Sequence, residues 1–335
     1  MAKLDRLGWA AGIAFESYGL KIGVRTNTAE VIPRLLEYLP PGWTPAASPV
    51  VDLLYTLTVG GDGPRPGVRK YNLLYAGAGR IGRSMDLGEV LESLESDVQM
   101  YVAEMARERV FVHAGVVAWD GRAIVMPGRS YSGKTSLTAA FVRAGATYYS
   151  DEYAVLDGQG RVHPFARALH VRDATDGQMT RTPIEHIGGT AGETPLPVGL
   201  VLVTGYMDAG RWRPRRLSPG QGVLALLANT VPARREPALA MATLQQAVAH
   251  ATVLKGRRGE ADEVVANILA NIDTQRDGSR GRREGDLRDD GGRTVGACGW
   301  ADHSAAAARR GTGVRHSAAP GPLPEQAGGA GVAGL

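Results

Sequence analysis

Hydrophobic positions along this chain follow the two periods that are typical of strands and helices. Ala123–Met126 is a short, continuous apolar run, as expected of a buried strand. Apolar residues at helical spacing follow in Ser136–Arg143, and Gly145 is placed to end that helix. A longer helical pattern with one broad apolar face covers Asp86–Arg107. Strands and helices in this arrangement predict an α/β fold.

Weaker patterns predict the remaining strands and helices, and both the hydrophobic periodicity and the composition change near residue 276. From there the periodicity is lost and Gly, Ala, Arg and Asp dominate, which predicts a disordered tail. We therefore expect an N-terminal α/β segment over 1–109, a second domain over 110–275 and the tail over 276–335. Further strands are predicted at Gly19–Arg25, Val51–Val59, Val68–Tyr75 and Val198–Thr204, and further helices at Ala29–Leu39, Ser218–Leu227, Pro237–Thr252 and Ala261–Asp273.

An Asp120-Gly121 pair separates two apolar runs and predicts a hairpin with a two-residue turn. That turn fixes the register, so Trp119 faces Arg122 and His113 falls opposite Gly128. The imidazole then lies beside the loop that follows the second strand. Two interpretations remain open at this point: a strand histidine with satisfied hydrogen bonds, or a residue of a functional site.

The loop after this hairpin fits G-x-x-x-x-G-K-[ST], the phosphate-binding P-loop or Walker A pattern, over Gly128–Thr135. Its glycines let backbone N–H groups turn toward phosphate oxygens, and the helix that follows adds its positive N-terminal end. Lys134 is predicted to reach the β- and γ-phosphates, and the Thr135 hydroxyl to bind Mg²⁺. The predicted nucleotide-binding residues are Gly128, Arg129, Ser130, Tyr131, Ser132, Gly133, Lys134, Thr135 and Ser136.

A second chemical segment follows the predicted helix. Thr147–Tyr149 suits a strand that returns parallel to the first one, so its carboxyl end lies at the same edge of the sheet as the loop. Asp151 and Glu152 stand at that end. One carboxylate can orient and deprotonate a hydroxyl and the other can hold Mg²⁺, and the sequence does not say which is which. The alternative is an exposed acidic turn.

Composition narrows the class of protein. The net charge of +4 is small and no basic stripe with interleaved aromatics exists, so no nucleic-acid partner is expected. No run of 18 apolar residues and no signal-peptide pattern is present, which predicts a cytoplasmic protein without a membrane partner. The single cysteine, Cys298, excludes a disulfide framework. Arg167, Arg172 and Arg181 could neutralise phosphate charge, but each alone is more typical of a solvated surface.

These segments resemble the bacterial HPr serine kinase/phosphorylases and their HPr kinase-related subgroup. In that family a V-H-G strand, a P-loop and a D-D pair follow one another at fixed spacing. Val112-His113-Ala114, the loop and Asp151-Glu152 stand here in the same order. His113 lies 21 residues before Lys134, and Glu152 lies 18 residues after it. The resemblance covers residues 110–205 and extends toward 275.

The resemblance implies the P-loop kinase fold of the HPr kinase/PEP carboxykinase-like type, and a serine kinase that uses ATP and Mg²⁺. His113, Lys134 and Glu152 match the family's active-site positions, Thr135 matches its Mg²⁺ ligand and Asp151 matches the first member of its acidic pair. We therefore predict four catalytic residues, His113, Lys134, Asp151 and Glu152, and two metal ligands, Thr135 and Asp151. Tyr131 replaces a family glycine and Glu152 replaces an Asp. The R-G-x-G stretch linked to the phosphorylase reaction has no counterpart, so phosphorylase activity is not expected.

Three functions remain open from the sequence. The first is a kinase that phosphorylates Ser of a protein or peptide. The second is a nucleotide-binding regulatory protein with little or no transfer activity, and the third is a small-molecule kinase. The acceptor is not identified by the sequence, and homo-oligomerisation is left open.

Overall fold

The computed structural model describes residues 5, 8–62, 67, 69–129, 132–172 and 179–272. The predicted tail over 276–335 and two residues of the predicted loop, Ser130 and Tyr131, lie outside the described residues. The described part is a mixed α/β structure with two large sheets. The predicted α/β class is therefore confirmed.

The N-terminal part is a six-stranded sheet in the order β3-β1-β2-β4-β7-β8. The first hairpin turns at Tyr18-Gly19, where both residues have positive φ, as a two-residue turn of this kind requires. A separate two-residue ladder, β5–β6, is formed by the segment between β4 and β7. The strands are β1 Ala11–Ser17, β2 Leu20–Thr26, β3 Thr44–Pro45, β4 Leu53–Thr58, β5 Gly61–Asp62, β6 Arg69–Lys70, β7 Asn72–Ala76 and β8 Gly79–Ser84.

Helix α2, Leu87–Met105, covers this sheet and agrees with the predicted helix over Asp86–Arg107. The Asp86 side chain caps it by accepting a hydrogen bond from the backbone N–H of Gly88 at 2.7 Å. The buried apolar face of α2 packs with this sheet into one hydrophobic core. That core also contains Phe111, Tyr153 and Phe165, which come from the chain after residue 109. The predicted helix over 29–39 is shorter: a 3-10 turn, Ala29–Val31, leads into α1, Ile32–Leu36.

The second sheet has eight strands, and its pairings close into a ring of five, β10-β9-β12-β13-β16. β16 lies parallel to both β10 and β18, while the other pairs are antiparallel. A short hairpin, β14–β15, stands apart from it. The strands are β9 Val110–Trp119, β10 Arg122–Pro127, β11 Thr147–Ser150, β12 Tyr153–Leu156, β13 Arg161–His163, β14 Leu169–Arg172, β15 Met179–Thr182, β16 Leu196–Tyr206, β17 Arg215–Arg216 and β18 Thr252–Arg258.

The predicted hairpin at Asp120-Gly121 is confirmed. Both turn residues have positive φ, 54° and 71°, and Trp119 pairs with Arg122. β11 lies on the other side of β9 and is antiparallel to it, so β11 runs parallel to β10 as predicted, with β9 between them. The carboxyl ends of β10 and β11 therefore lie at the same edge.

Helices cover both faces of this sheet. α3, Lys134–Arg143, packs with residues 261–272, which form the helix α6, and with Ile124, Val117 and Leu202 of the sheet. α4, Pro219–Leu227, and α5, Pro237–Val248, pack on the opposite face. None of the helices in the described part is both long and apolar enough to cross a bilayer.

The predicted end of the helix α5 is also wrong. The helix expected over Pro237–Thr252 ends at Val248, and Thr252 begins strand β18. Val253 is buried on one face of the sheet and Leu254 is half-buried on the other, so the alternation of a strand begins at the residue where the predicted helix ends.

Candidate functional site

The glycine-rich loop, residues 128–133, connects the carboxyl end of β10 to the first residue of α3, so the predicted strand–loop–helix order is confirmed. Gly133 caps α3 in the left-handed region with φ 82°. A Cβ at this position would lie 2.4 Å from Nη2 of Arg258, whose Nη2 donates to the Gly133 carbonyl at 3.0 Å. The backbone angle favours glycine here, whereas the contact with the tip of the arginine side chain can be relieved by moving that side chain.

The other described residues of the loop pack against one another. A Cβ on Gly128 would lie 2.6 Å from Oγ of Ser132. Ser132 donates its backbone N–H to the carbonyl of Arg129 at 3.2 Å, and Nζ of Lys134 donates to the same carbonyl at 2.9 Å. Ser136 is exposed on the first turn of α3. The lysine is thus held over the loop, at the helix N-terminus where phosphate binding is favourable.

Two backbone hydrogen bonds join the chemical segments through one dipeptide of β9. The N–H of Gly128 donates to the His113 carbonyl at 3.2 Å, which confirms the register expected from the hairpin. On the other edge of β9, the N–H of Ala114 donates to the Glu152 carbonyl at 3.0 Å. The pairing of β9 with β12 ends at His113, which faces Tyr153. The pairing with β10, on the other edge of β9, begins at Ala114, which faces Pro127. The sheet therefore fixes the loop and the acidic pair at one place.

The acidic pair lies at the break between β11 and β12, and its two carboxylates have different surroundings. Asp151 is 2% exposed, and accepts hydrogen bonds from the Thr135 hydroxyl at 3.2 Å and the Tyr148 hydroxyl at 3.1 Å. The side chain of Glu152 is 30% exposed, and its Oε1 lies 3.1 Å from Nε2 of His113. Asp151 is thus an internal group, while Glu152 is accessible to a ligand.

Arg167, which follows β13, connects the two carboxylates. Its Nε lies 3.3 Å from Oδ1 of Asp151, and its Nη2 lies 3.1 Å from Oε2 of Glu152. The side chain is only 12% exposed. The expectation that this arginine is a solvated surface residue is therefore wrong.

Burial and charge set the ionisation of the site. Burial lowers the pKa of the Lys134 ammonium, although the carboxylates of Glu152 and Asp151 act in the opposite direction. Burial raises the pKa of the Glu152 carboxyl, but the contact with His113 and the charge of Arg167 outweigh it, so this pKa lies below its ordinary value. For Arg167, burial is outweighed by the surrounding carboxylates, which raise its pKa. The Glu152 carboxylate is therefore ionised at neutral pH.

The residues predicted to bind Mg²⁺ suit that ion. Thr135 and Asp151 present a hydroxyl and a carboxylate oxygen 3.2 Å apart beside the helix N-terminus. Mg²⁺ commonly takes one or two protein oxygens and completes its shell with waters and substrate phosphates. Within the described ranges, no group of three or more His, Cys, Asp and Glu side chains converges to form a larger metal site.

The structure brings together all five of the predicted residues that carry side-chain chemistry, namely His113, Lys134, Thr135, Asp151 and Glu152. Sequence reasoning did not assign Arg167, Tyr148 and Arg258 to the site. Tyr148 stands only three residues before its partner Asp151, but Arg167 and Arg258 come from distant segments, and their burial depends on tertiary packing.

No protein-family model matches this sequence, and a search of curated proteins found no significant match. The site itself, and the motif resemblance, are therefore the basis for a function.

Proposed function

We propose that this protein is an ATP-dependent kinase of the HPr kinase-like type. It transfers the γ-phosphoryl group of ATP to the hydroxyl of a Ser in a protein or peptide. The observation that carries the proposal is that a Walker A lysine, an acidic pair and a histidine lie together. Lys134 is close enough to Asp151 and Glu152 for both carboxylates to influence its pKa, and His113 contacts Glu152.

Each residue has a role that follows from its position. Lys134 and the N–H groups at the start of α3 would hold the phosphates, and Thr135 and Asp151 would hold Mg²⁺, which supplies positive charge to the phosphate oxygens. Glu152 is the better candidate for the base, because its carboxylate is accessible whereas Asp151 is buried. His113 orients Glu152 through its Nε2.

The proposed step balances as follows. The acceptor oxygen forms a bond to the γ-phosphorus, the bond from that phosphorus to the bridging oxygen of ADP breaks, and Glu152 takes the hydroxyl proton. In such reactions most of the rate enhancement comes from positioning and from charge stabilisation, so a strongly basic carboxylate is not required. A Glu152 pKa below the ordinary value is compatible with this role.

A second function, a nucleotide-binding regulatory protein with little transfer activity, is favoured by one observation. Arg167 contacts both carboxylates and His113 contacts the other oxygen of Glu152, so each oxygen of Glu152 already has one partner. A substrate hydroxyl would have to share an oxygen with one of these partners, which weakens the carboxylate as a base. The two functions differ in a single measurable property, which is transfer to an acceptor.

The test uses the full-length protein with Mg-ATP labelled at the γ-phosphate and a fractionated extract of the source cells. Lys134→Ala should reduce both labelling and nucleotide affinity, with labelling lower by about two to three orders of magnitude. Glu152→Gln should reduce labelling by about two orders of magnitude or more and largely spare ATP affinity. Lys21→Ala, at a half-exposed lysine of the N-terminal sheet, is the matched control and should change neither.

The outcomes separate the candidates. An acceptor labelled only when Lys134 is intact supports a kinase, and its mass distinguishes a protein from a small molecule. ATP binding that requires Lys134, without any labelled acceptor, favours the regulatory function. Full labelling by Glu152→Gln would contradict its assignment as the base.

A further inference from the structure

A carboxylate of the N-terminal part is buried where a charge is unexpected. Glu95 lies on the apolar face of α2, between Leu91, Leu94 and Val98, and its side chain is 5% exposed. Charged side chains are rarely buried to this extent unless they are paired. We therefore expect Glu95 to be paired with a cation of the protein.

Glu95 faces two arginines that come from the other half of the chain. Its Oε1 lies 3.6 Å from Nη2 of Arg181 on β15 and 3.9 Å from Nη1 of Arg167, and it accepts a hydrogen bond from Gln99 at 3.2 Å. Arg181 is itself fixed, because it donates to the Glu37 carbonyl at 2.6 Å and stacks over the ring of Tyr38 at 4.5 Å. Glu95 is thus held between one anchored arginine and one arginine of the site.

Arg167 presents its two sides to different partners. Nε and Nη2 lie along one edge of the planar guanidinium and face Asp151 and Glu152, whereas Nη1 faces Glu95. The planar group has a fixed arrangement of donors, so an attraction at Nη1 orients the edge that contacts the acidic pair. Within the described ranges, Glu95 is the carboxylate that faces Nη1, so its loss leaves that side of the guanidinium without a charged partner.

We propose that Glu95 is a positioning residue of the site, which acts through Arg167 to fix the two carboxylates. The N-terminal part of the chain then completes the site, although its residues touch no reacting atom. The consequence for transfer rests on the proposed function, but the coupling between Glu95 and Glu152 does not.

The coupling is tested in the full-length protein by a double-mutant cycle on urea unfolding midpoints. Glu95→Gln and Glu152→Gln are measured singly and together. If Glu95 holds Arg167 against Glu152, then losing Glu95 weakens that contact, and the midpoint shift of the double variant is smaller than the sum of the single shifts. Direct repulsion between the two carboxylates would give the opposite sign, a larger shift than the sum.

Two further variants keep the cycle decisive. Glu92→Gln, at an exposed position one turn earlier on α2, should be additive with Glu152→Gln. If the double variant does not fold, Glu95→Asp replaces Glu95→Gln, because it keeps the charge but withdraws it from Arg167 by one methylene. The midpoint shift of its double variant should again be smaller than the sum of the single shifts, but by a smaller amount. Additive or larger-than-additive shifts for Glu95 would overturn the proposal.

A second measurement separates positioning from general destabilisation. At a temperature where all variants are folded, Glu95→Gln should lower phosphoryl transfer at least tenfold while the Kd for Mg-ATP stays within threefold, and Glu95→Asp should restore part of the rate. Equal transfer by Glu95→Gln and wild type would overturn the proposal. If the wild type transfers nothing, the kinase proposal fails, and the unfolding cycle still decides whether Glu95 positions Arg167.

Discussion

Gly115 controls how closely α3 approaches β9, and replacing it by Ala is a direct test of the site geometry. The residue lies on β9 two positions after His113. A Cβ at Gly115 would lie 2.5 Å from Oγ1 of Thr138 and 3.3 Å from Cε of Met126. Thr138 is β-branched and its rotamer is restricted in a helix, so its hydroxyl cannot swing away freely. We therefore expect α3 to move away from the strand.

The size of the effect follows from these distances. A carbon and an oxygen in van der Waals contact stay more than 3 Å apart, so several tenths of an ångström must be gained by moving α3. Added methyl groups in a well-packed interior cost about 1–3 kcal/mol. Lys134 lies one turn before Thr138 on the same face of α3, so it moves with the helix. Misplacement of a catalytic group by about 1 Å can cost on the order of 10²-fold in rate. Because Lys134 is also proposed to hold the phosphates, ATP affinity should fall together with transfer.

Urea unfolding and ATP binding measure the two consequences, and a second substitution provides the control. Thr138 Oγ1 is buried and has no hydrogen-bond partner among the described residues, so Thr138→Ala removes an unsatisfied group and should be nearly neutral alone. The double variant Gly115→Ala/Thr138→Ala should recover most of the lost stability and ATP affinity. A Gly115→Ala protein with wild-type midpoint and affinity would refute the close-packing argument, as would a double variant no better than the single one.

Two further predictions concern the turn between β12 and β13. Burial raises the pKa of Asp157, but contacts with His163 and with backbone amides of the turn outweigh it and hold the pKa below its ordinary value. The ionised Asp157 carboxylate therefore stabilises the folded state at pH values above its unfolded-state pKa, near 4, and this contribution is lost as the pH falls through the lower folded-state pKa. Asp157→Asn should consequently flatten the fall in urea midpoint between about pH 7 and pH 3. Gly160→Ala should cost about 2–5 kcal/mol on urea unfolding, because φ is 74° and a Cβ would lie 2.3 Å from the backbone nitrogen of Ala247, whereas Gly158→Ala, with open space around it, should change stability by less than about 0.5 kcal/mol.

The parts of the fold that could be predicted are those that depend on neighbours in the sequence. The Asp120-Gly121 turn dictates the register of β9 and β10, and from that register alone His113 is expected beside the loop, as the structure shows. The long helix α2 follows equally from its apolar spacing and its Asp86 cap. Strand β1 and strand β18 were not predicted, because both are defined by pairing with partners whose place in the sheet the local pattern does not reveal.

The charged contacts of the site depend on tertiary packing and could not be predicted in the same way. Arg167 is brought to Asp151 by the path of the chain after β13, which no local period encodes. One signal was nevertheless present in the sequence. Glu95 falls between Leu94 and Val98 on the apolar stripe of a strongly periodic helix, and a buried carboxylate in such a position is usually paired with a cation. Reading the exception to the apolar pattern, rather than the pattern itself, would have pointed to an arginine partner.

These two kinds of connection give the site two different mechanical properties. His113, the loop and the acidic pair are joined by backbone hydrogen bonds of one strand, so their separation is set by the sheet and changes only if the strand moves. Arg167 is joined to the pair by side-chain contacts of 3.1 and 3.3 Å, and it has a third carboxylate, Glu95, at 3.9 Å on its other side. A ligand that brings positive charge to Asp151 competes with Arg167 directly, and Glu95 is the group that can keep the displaced guanidinium paired inside the protein. Side-chain substitutions at His113 or Glu152 leave these backbone hydrogen bonds in place, so the spacing of the site should survive them, whereas substitutions of Glu95 should change the charge balance around Arg167.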